Sequence, residues 1–232
     1  MVHAWSNSPE LKAALNQDKK GTEERLKGML RMMCERWHGD KEGRVVFDKS
    51  RAWAHNLLLL KSIYPDAKII VTVRDLREVF ASVEKQHRKT GFLDEAPALA
   101  KKTIFGRADA LFSPDGLIGG PLSGIEDIVN RNIDVHWIKY EEFANSPRNT
   151  MAKLYTYLDM EPFDKHDFDD VVNTAEDPDW LYNGKFPHEG YGKIEKPKSQ
   201  WRAYMSNSIA ELITTKFNKY QEQFGWAEAN GK

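Results

Sequence analysis

Arg74 and Ser82 stand eight residues apart, on either side of the point where an apolar run gives way to a helical pattern. The run Ile69-Ile70-Val71-Thr72-Val73 is rich in β-branched residues, as expected for a parallel strand covered on both faces. From Asp75 onward, an acidic first turn and apolar Leu76, Val79, Phe80 and Val83 change the period to helical. A helix amino end that opens beside a strand's carboxyl end suits an anion, because its first N–H groups are free and its dipole is favourable. Arg74 would add a planar fork matched to phosphate, and Ser82 a hydroxyl about two turns along the helix. Asp48-Lys49-Ser50-Arg51 ends a second predicted strand, where Lys49 could stabilise charge on a transferring group. Plainer readings stand beside these. Arg74 could pair with Asp75 or Glu78 at an ordinary junction, and Lys49 with Asp48.

The surrounding pattern predicts the elements that must carry these residues. Gly21-Thr22-Glu23-Glu24 looks like a helix start, and Leu26, Met29, Leu30, Met33, Cys34 and Trp37 follow at helical spacing as a core stripe. Arg44 to Asp48 reads as a strand, Ala52 to Ile63 as a helix ending before Pro65, then a strand at 68–73 and a helix at 75–88. Two strand–helix units in succession point to a parallel sheet with right-handed crossovers. Residues 89–130 read as irregular. Their stretch Gly116 to Gly124 resembles a phosphate loop superficially, but it lacks a Gly-Lys-Ser/Thr ending and a preceding strand, so it reads as a connection. A strand resumes at Asp134 to Ile138. Ser146-Pro147 caps the next helix, residues 173–200 form a loop rich in lysine and glycine, and a last helix starts near Ser206.

Composition narrows the function classes. The 232 residues suit one domain with a sizeable core, and 30% charged residues balance to a formal net charge of −1. Without a basic field, bulk nucleic-acid binding is not expected and any anion site must be local. The single cysteine, Cys34, rules out an internal disulfide framework and a Cys-based zinc site. His166, Asp167, Asp169 and Asp170 read as an exposed acidic turn rather than a metal site. No apolar run approaches the ~18 residues of a membrane span, and Met1 to Leu15 is polar with Pro9, so neither a membrane nor a signal peptide is expected. The cytosol is the expected compartment.

Four segments together resemble the sulfotransferase family that uses 3′-phosphoadenosine-5′-phosphosulfate (PAPS). Val71-Thr72-Val73-Arg74-Asp75 through Ser82 is similar to its 3′-phosphate motif. Phe47-Asp48-Lys49-Ser50-Arg51 with Trp53 is similar to the strand end placed beside the sulfuryl group. Trp137-Ile138-Lys139-Tyr140-Glu141-Glu142-Phe143, followed by Asn145-Ser146-Pro147, matches a strand–turn–helix in which the tyrosine lies near the nucleotide. Gly190-Tyr191-Gly192-Lys193-Ile194-Glu195-Lys196-Pro197-Lys198-Ser199-Gln200-Trp201 resembles the late basic loop that closes over the nucleotide. Taken alone, that stretch could equally be a solvated lysine run.

The resemblance implies a single α/β domain over residues 1–232, a parallel sheet flanked by helices related to the P-loop NTPase-like folds. It implies in-line transfer of a sulfuryl group from PAPS to a hydroxyl or amine of a small-molecule, carbohydrate or peptide acceptor, without a metal. Arg74 and Ser82 would hold the 3′-phosphate, with Lys49 at the reacting centre. Tyr140 and the loop bearing Gly192, Lys193, Lys196 and Lys198 would cover the nucleotide. One family feature is missing from its expected place: no Gly-x-Pro-x-Ser-Gly loop for the 5′-phosphosulfate precedes Asp48. The chain is therefore expected either to be a shortened enzyme, to persist without its first strand, or to be an inactive nucleotide-binding or interaction remnant. The general base is open, with His3 and His55 as weak candidates and Ser50 or Arg51 at the position where some relatives carry histidine. A P-loop kinase is disfavoured by the absence of Gly-x-x-x-x-Gly-Lys-Ser/Thr.

Overall fold

A computed structural model describes residues 8–39, 43, 45–91, 103–172 and 192–226. The chain divides into two compact units, Met1–Ala67 and Lys68–Lys232.

The first unit is helical. Helix α1 (Pro9–Gln17) is capped by Ser8, whose hydroxyl accepts from the Leu11 N–H, and begins with a proline that needs no partner for its nitrogen. Helix α2 (Lys19–His38) starts two residues before the predicted Gly21, because Asp18 supplies the cap by accepting from the Gly21 N–H at 2.9 Å. A 3₁₀ turn (Arg51–Asn56) then leads into α3 (Leu57–Ile63). The Arg31 guanidinium donates to the Ile63 carbonyl, and the Tyr64 hydroxyl to the Arg31 carbonyl at 3.3 Å, which joins α2 to the end of α3.

Two expectations fail in this unit. The stripe on α2 is not core: Met29, Met33 and Trp37 are exposed, and Thr22 is the helix's buried residue. Helical spacing shows that apolar residues share a face but cannot show that something covers it. The segment Val45–Ser50 is not a strand, and Val45 and Phe47 are exposed. Composition favours extension there, but a strand exists only when a neighbouring strand takes its N–H and C=O groups in a ladder, and no described strand pairs with this segment.

The second unit holds an α/β arrangement around a two-stranded parallel sheet. Strand β1 (Ile70–Val73) pairs with β2 (His136–Lys139) in the register Ile70 to His136 through Val73 to Lys139. Between them run α4 (Leu76–Thr90), α5 (Ile104–Leu111) and α6 (Gly119–Asn130). After β2 come α7 (Tyr140–Asn145) and α8 (Pro147–Leu158), then α9 (Trp201–Tyr204), α10 (Asn207–Lys216) and α11 (Asn218–Gln223). Val73 lies in the core with Leu76 and Phe80 of α4, Leu111, Leu122 and Ile125, and Ile209 and Ile213 of α10. The opposite face of β1 is more open, with Thr72 exposed, so the strand is less covered than its sequence suggests. There Tyr157 of α8 stacks on His136, and its hydroxyl both accepts from the Ile69 N–H and donates to the Ile69 carbonyl.

The stretch 89–130 is not irregular throughout, since it contains α5 and α6. Arg107 of α5 makes a bidentate pair with Glu84 of α4 at 2.7 and 2.8 Å, and both are buried. Gly119 lets α6 start against the preceding turn. A Cβ there would lie 2.1 Å from the Ser113 carbonyl oxygen, so the residue that made this stretch look like a loop is what allows the helix to pack. Pro121 falls in the helix's first turn, where a missing N–H costs little.

Candidate functional site

The carboxyl ends of β1 and β2 lie side by side, and each chain turns directly into a helix. Asp75 caps α4 by accepting from the Arg77 N–H at 2.9 Å. Its carboxylate is also gripped by the buried Arg77 guanidinium, at 2.7 Å to Oδ2, and by Gln221 Nε2 at 3.1 Å. Asp75 is thus engaged away from Arg74, and the Arg74–Asp75 pairing weighed from the sequence does not form.

Arg74 leaves β1 toward the partner strand. Its guanidinium carbon sits 4.2 Å from the centre of the Tyr140 ring at the start of α7, within cation–π range. The Tyr220 hydroxyl donates to the Arg74 carbonyl at 3.1 Å, and burial pushes that phenol's pKa well above its usual value. Two carboxylates flank the guanidinium, each at 3.9 Å: Glu78 Oε2 from one terminal nitrogen and Glu141 Oε1 from Nε. Both distances exceed a hydrogen bond. Arg74 Nε and Glu141 Oε2 are buried with no hydrogen-bond partner among the described residues. Burial raises the Glu141 carboxyl above its ordinary pKa, opposed in part by nearby backbone N–H groups and by Arg74.

Glu78 is held from the far end of the chain. Its Oε1 accepts from the Ser199 hydroxyl at 2.8 Å and the Gln200 N–H at 3.0 Å, with a longer contact to the Trp201 N–H. The basic loop therefore ends on the helix turn next to Arg74. Its other described end is tied down separately. Gly192, at φ +88°, exchanges two 2.9 Å hydrogen bonds with Val171, and Lys193 pairs with Asp169 at 2.6 Å. Lys196 and Lys198 are exposed. Gly190 and Tyr191 lie outside the described residues.

The remaining sequence candidates are placed as follows. Ser82 is exposed on α4, two turns beyond Arg74. Lys49 is exposed in the first unit, and its neighbour Asp48 faces His38 at 3.6 Å. His55 lies in the 3₁₀ turn, whereas His3 is outside the described residues. The structure thus brings together Arg74, Tyr140 and the end of the basic loop. Sequence spacing did not single out Glu78 as the loop's anchor or Glu141 as a neighbour of Arg74. The only available signal was the acid that follows Tyr140 in its motif.

Gly119-Gly120-Pro121-Leu122-Ser123-Gly124 has the spacing Gly-x-Pro-x-Ser-Gly, but its donors serve α6 instead of a ligand. The Gly120 N–H donates to the Gly116 carbonyl, the Leu122 N–H to Ile118 and the Ser123 hydroxyl to Gly120. Its position after β1 also separates it from the order in which the family's loop comes first.

No curated protein and no solved structure matches the chain. Residues 3–100, which include Lys49, Arg74 and Ser82, match the model of the sulfotransferase family (Sulfotransfer_3), so over that segment the chain is similar to sulfotransferases.

Proposed function

We propose that the chain binds PAPS and its product 3′,5′-adenosine bisphosphate (PAP), with Arg74 as the 3′-phosphate ligand, and that this site serves sulfuryl transfer. The observation that carries this reading is an arginine fixed in place but not consumed. Arg74 is oriented by the Tyr140 ring and balanced by two carboxylates, yet its buried Nε makes no hydrogen bond. A guanidinium with its buried Nε unpaired at the carboxyl edge of a parallel sheet would take an anion once a neighbouring carboxylate yields. Tyr140 would flank the nucleotide, and Lys196 and Lys198 would approach it from the loop that ends on Glu78. PAPS would supply the activated sulfuryl group, and the chain would supply binding, orientation and the positive charge of Lys49 for the departing phosphate. The acceptor would be a small molecule, carbohydrate or peptide bearing a hydroxyl or amine, and the reaction as resembled needs no metal. No described helix is long and apolar enough to cross a membrane. A cytosolic setting is part of the proposal.

Titration with PAP and with adenosine 5′-monophosphate tests the reading. PAP should bind more tightly. Arg74→Ala should remove that preference, at a cost of about 2–5 kcal/mol for truncating one side of a charge pair. Ser82→Ala should cost about 1 kcal/mol, the net value of one hydrogen bond. Equal affinity of the unaltered chain for the two nucleotides would show that no 3′-phosphate site exists.

A second reading, an inactive nucleotide-binding relative, is favoured by the use of Gly119 to Gly124, the segment here with the spacing of the family's phosphosulfate loop, in a helix. Binding of PAP without turnover of PAPS, even when a Gly-x-Pro-x-Ser-Gly loop is fused ahead of residue 1, would select it.

A further inference from the structure

The charges around Arg74 do not suit a phosphate as they stand. Arg74 and Arg77 face three carboxylates, Asp75, Glu78 and Glu141. Asp75 is committed to Arg77 and Gln221, and Glu78 to Ser199, Gln200 and Trp201. Neither can leave without breaking several hydrogen bonds. Glu141 is different. It is the carboxylate with a buried oxygen lacking any hydrogen bond among the described residues, and it lies 3.9 Å from the equally unpartnered Nε of Arg74. A dianionic phosphate brought to Arg74 would meet this carboxylate at close range, and like charges in a partly desolvated site favour protonation of one of them.

We propose that the Arg74 site takes up its anion together with one proton on Glu141, which turns the carboxylate balancing Arg74 into a neutral hydrogen-bond donor. This rests on the anion site proposed above. The proton comes from solvent, or from the ligand when its phosphate enters as the monoanion, and it returns when the anion leaves. Burial already biases Glu141 in this direction. The groups that face it are Arg74 and Asp75 from the β1–α4 turn, Glu78 from α4 by way of Arg74, Tyr220 from α11, and Tyr140 beside it. Tyr220, with its pKa raised, stays neutral and supplies no charge. Glu141 is therefore the group positioned to respond. As a consequence, the site would discriminate by charge and by pH, with Glu141 acting as an internal competitor of the phosphate above its own pKa.

The test measures PAP affinity by calorimetry from pH 5.5 to 8.5, in buffers of different ionisation enthalpy, for the unaltered chain, Glu141→Gln, Glu141→Ala and Arg74→Ala. Phosphate itself titrates with a second pKa of about 6, but that contribution cancels in the ratio of variant to parent. Glu141→Gln mimics the protonated acid and should bind PAP more tightly at pH 8. Its advantage should grow with rising pH toward about tenfold per unit, the limit for one coupled proton. The parent should take up as much as one proton more than the variant. Glu141→Ala should show the same pH trend with lower affinity, because it removes the charge without supplying a donor. A ratio of Gln variant to parent that stays constant across pH, while Arg74→Ala weakens binding, would overturn the role of Glu141 and leave the anion site standing. Unchanged affinity in Arg74→Ala, or no PAP binding by parent and Gln variant at any pH, would overturn the anion site itself. Melting curves of each variant establish that it folds.

Discussion

Arg74 keeps an unpaired donor because of where its neighbours send their own hydrogen bonds. An arginine at this turn could have been neutralised by Asp75, one residue away, or by Glu78, one helical turn away. Instead Asp75 is taken by Arg77, and Glu78, an ion-pair neighbour of Arg74 at 3.9 Å, gives its hydrogen bonds to the loop end, so Arg74 Nε keeps donor capacity. Glu141 bears the cost of this arrangement, and the cost has a sign that can be checked. Its pKa in the folded chain is raised above the ordinary 4.5. The folded state therefore holds its proton more tightly than the unfolded state. The stability tied to that proton is fully present below the unfolded pKa and is lost as pH rises through the folded one. Glu141→Gln cannot lose that stability. The difference in melting temperature, variant minus parent, should therefore become more positive as pH rises from about 4 to 7. A difference that is flat or falls across that range would mean that Glu141 is no less comfortable as a carboxylate than in water. The strand–arginine–helix order and the Tyr140 motif were legible in the sequence because they are local. That Asp75, Glu78 and Glu141 would divide their roles was not, since the partners that decide it, Gln221 and Ser199 to Trp201, lie more than a hundred residues away.

Among the elements, strands and helices with both a period and a boundary signal were legible. β1, α4 and α8 combine an apolar pattern with Asp75 or Ser146-Pro147 at their starts. Segments with a pattern but no assured partner were misjudged, because pairing and coverage are tertiary facts. Val45–Ser50 has the composition of a strand without a ladder, whereas α6 is a helix hidden by the glycines that let it pack. The basic loop makes the element-scale prediction. Its described part is tethered at Val171 and at Glu78, with exposed lysines between. Glu78→Ala should free the Ser199–Trp201 end by removing the acceptor of the Gln200 and Trp201 N–H groups. Leaving such groups without a partner costs about 1–3 kcal/mol. Hydrogen exchange at those two amides should accelerate by about 5- to 150-fold, while amides in the middle of α4 hold their rates. Unchanged exchange at Gln200 and Trp201 would show that Glu78 is a bystander and that the loop end is fixed by the packing of Trp201.

At the scale of the whole molecule, binding and turnover make different demands, and these 232 residues meet them unequally. A 3′-phosphate site needs one well-placed guanidinium with neighbours that can yield, and the proposed Arg74 site in the second unit would provide it. Sulfuryl transfer also needs donors arranged around the equatorial oxygens of the transferring group, commonly the largest catalytic contribution. In the resembled family a Gly-x-Pro-x-Ser-Gly loop after the first strand gives those donors, and none precedes Asp48. The one segment with that spacing, Gly119 to Gly124, spends its N–H groups on α6, and unwinding it would pull Leu122 and Ile125 out of the core. Lys49 alone cannot stand in for a set of backbone N–H groups, because a single flexible ammonium fixes neither the orientation nor the full charge of the group in flight. Losing one donor from a comparable oxyanion site lowers the rate about 10²–10³-fold, and these 232 residues carry that loop spacing nowhere but at Gly119 to Gly124. A polypeptide of these 232 residues should therefore bind PAP yet turn over radiolabelled PAPS at or near the background rate, with simple phenols, sugars or peptides as acceptors. Turnover above background that Lys49→Ala abolishes would overturn this expectation. It would require another part of the chain to supply the phosphosulfate donors.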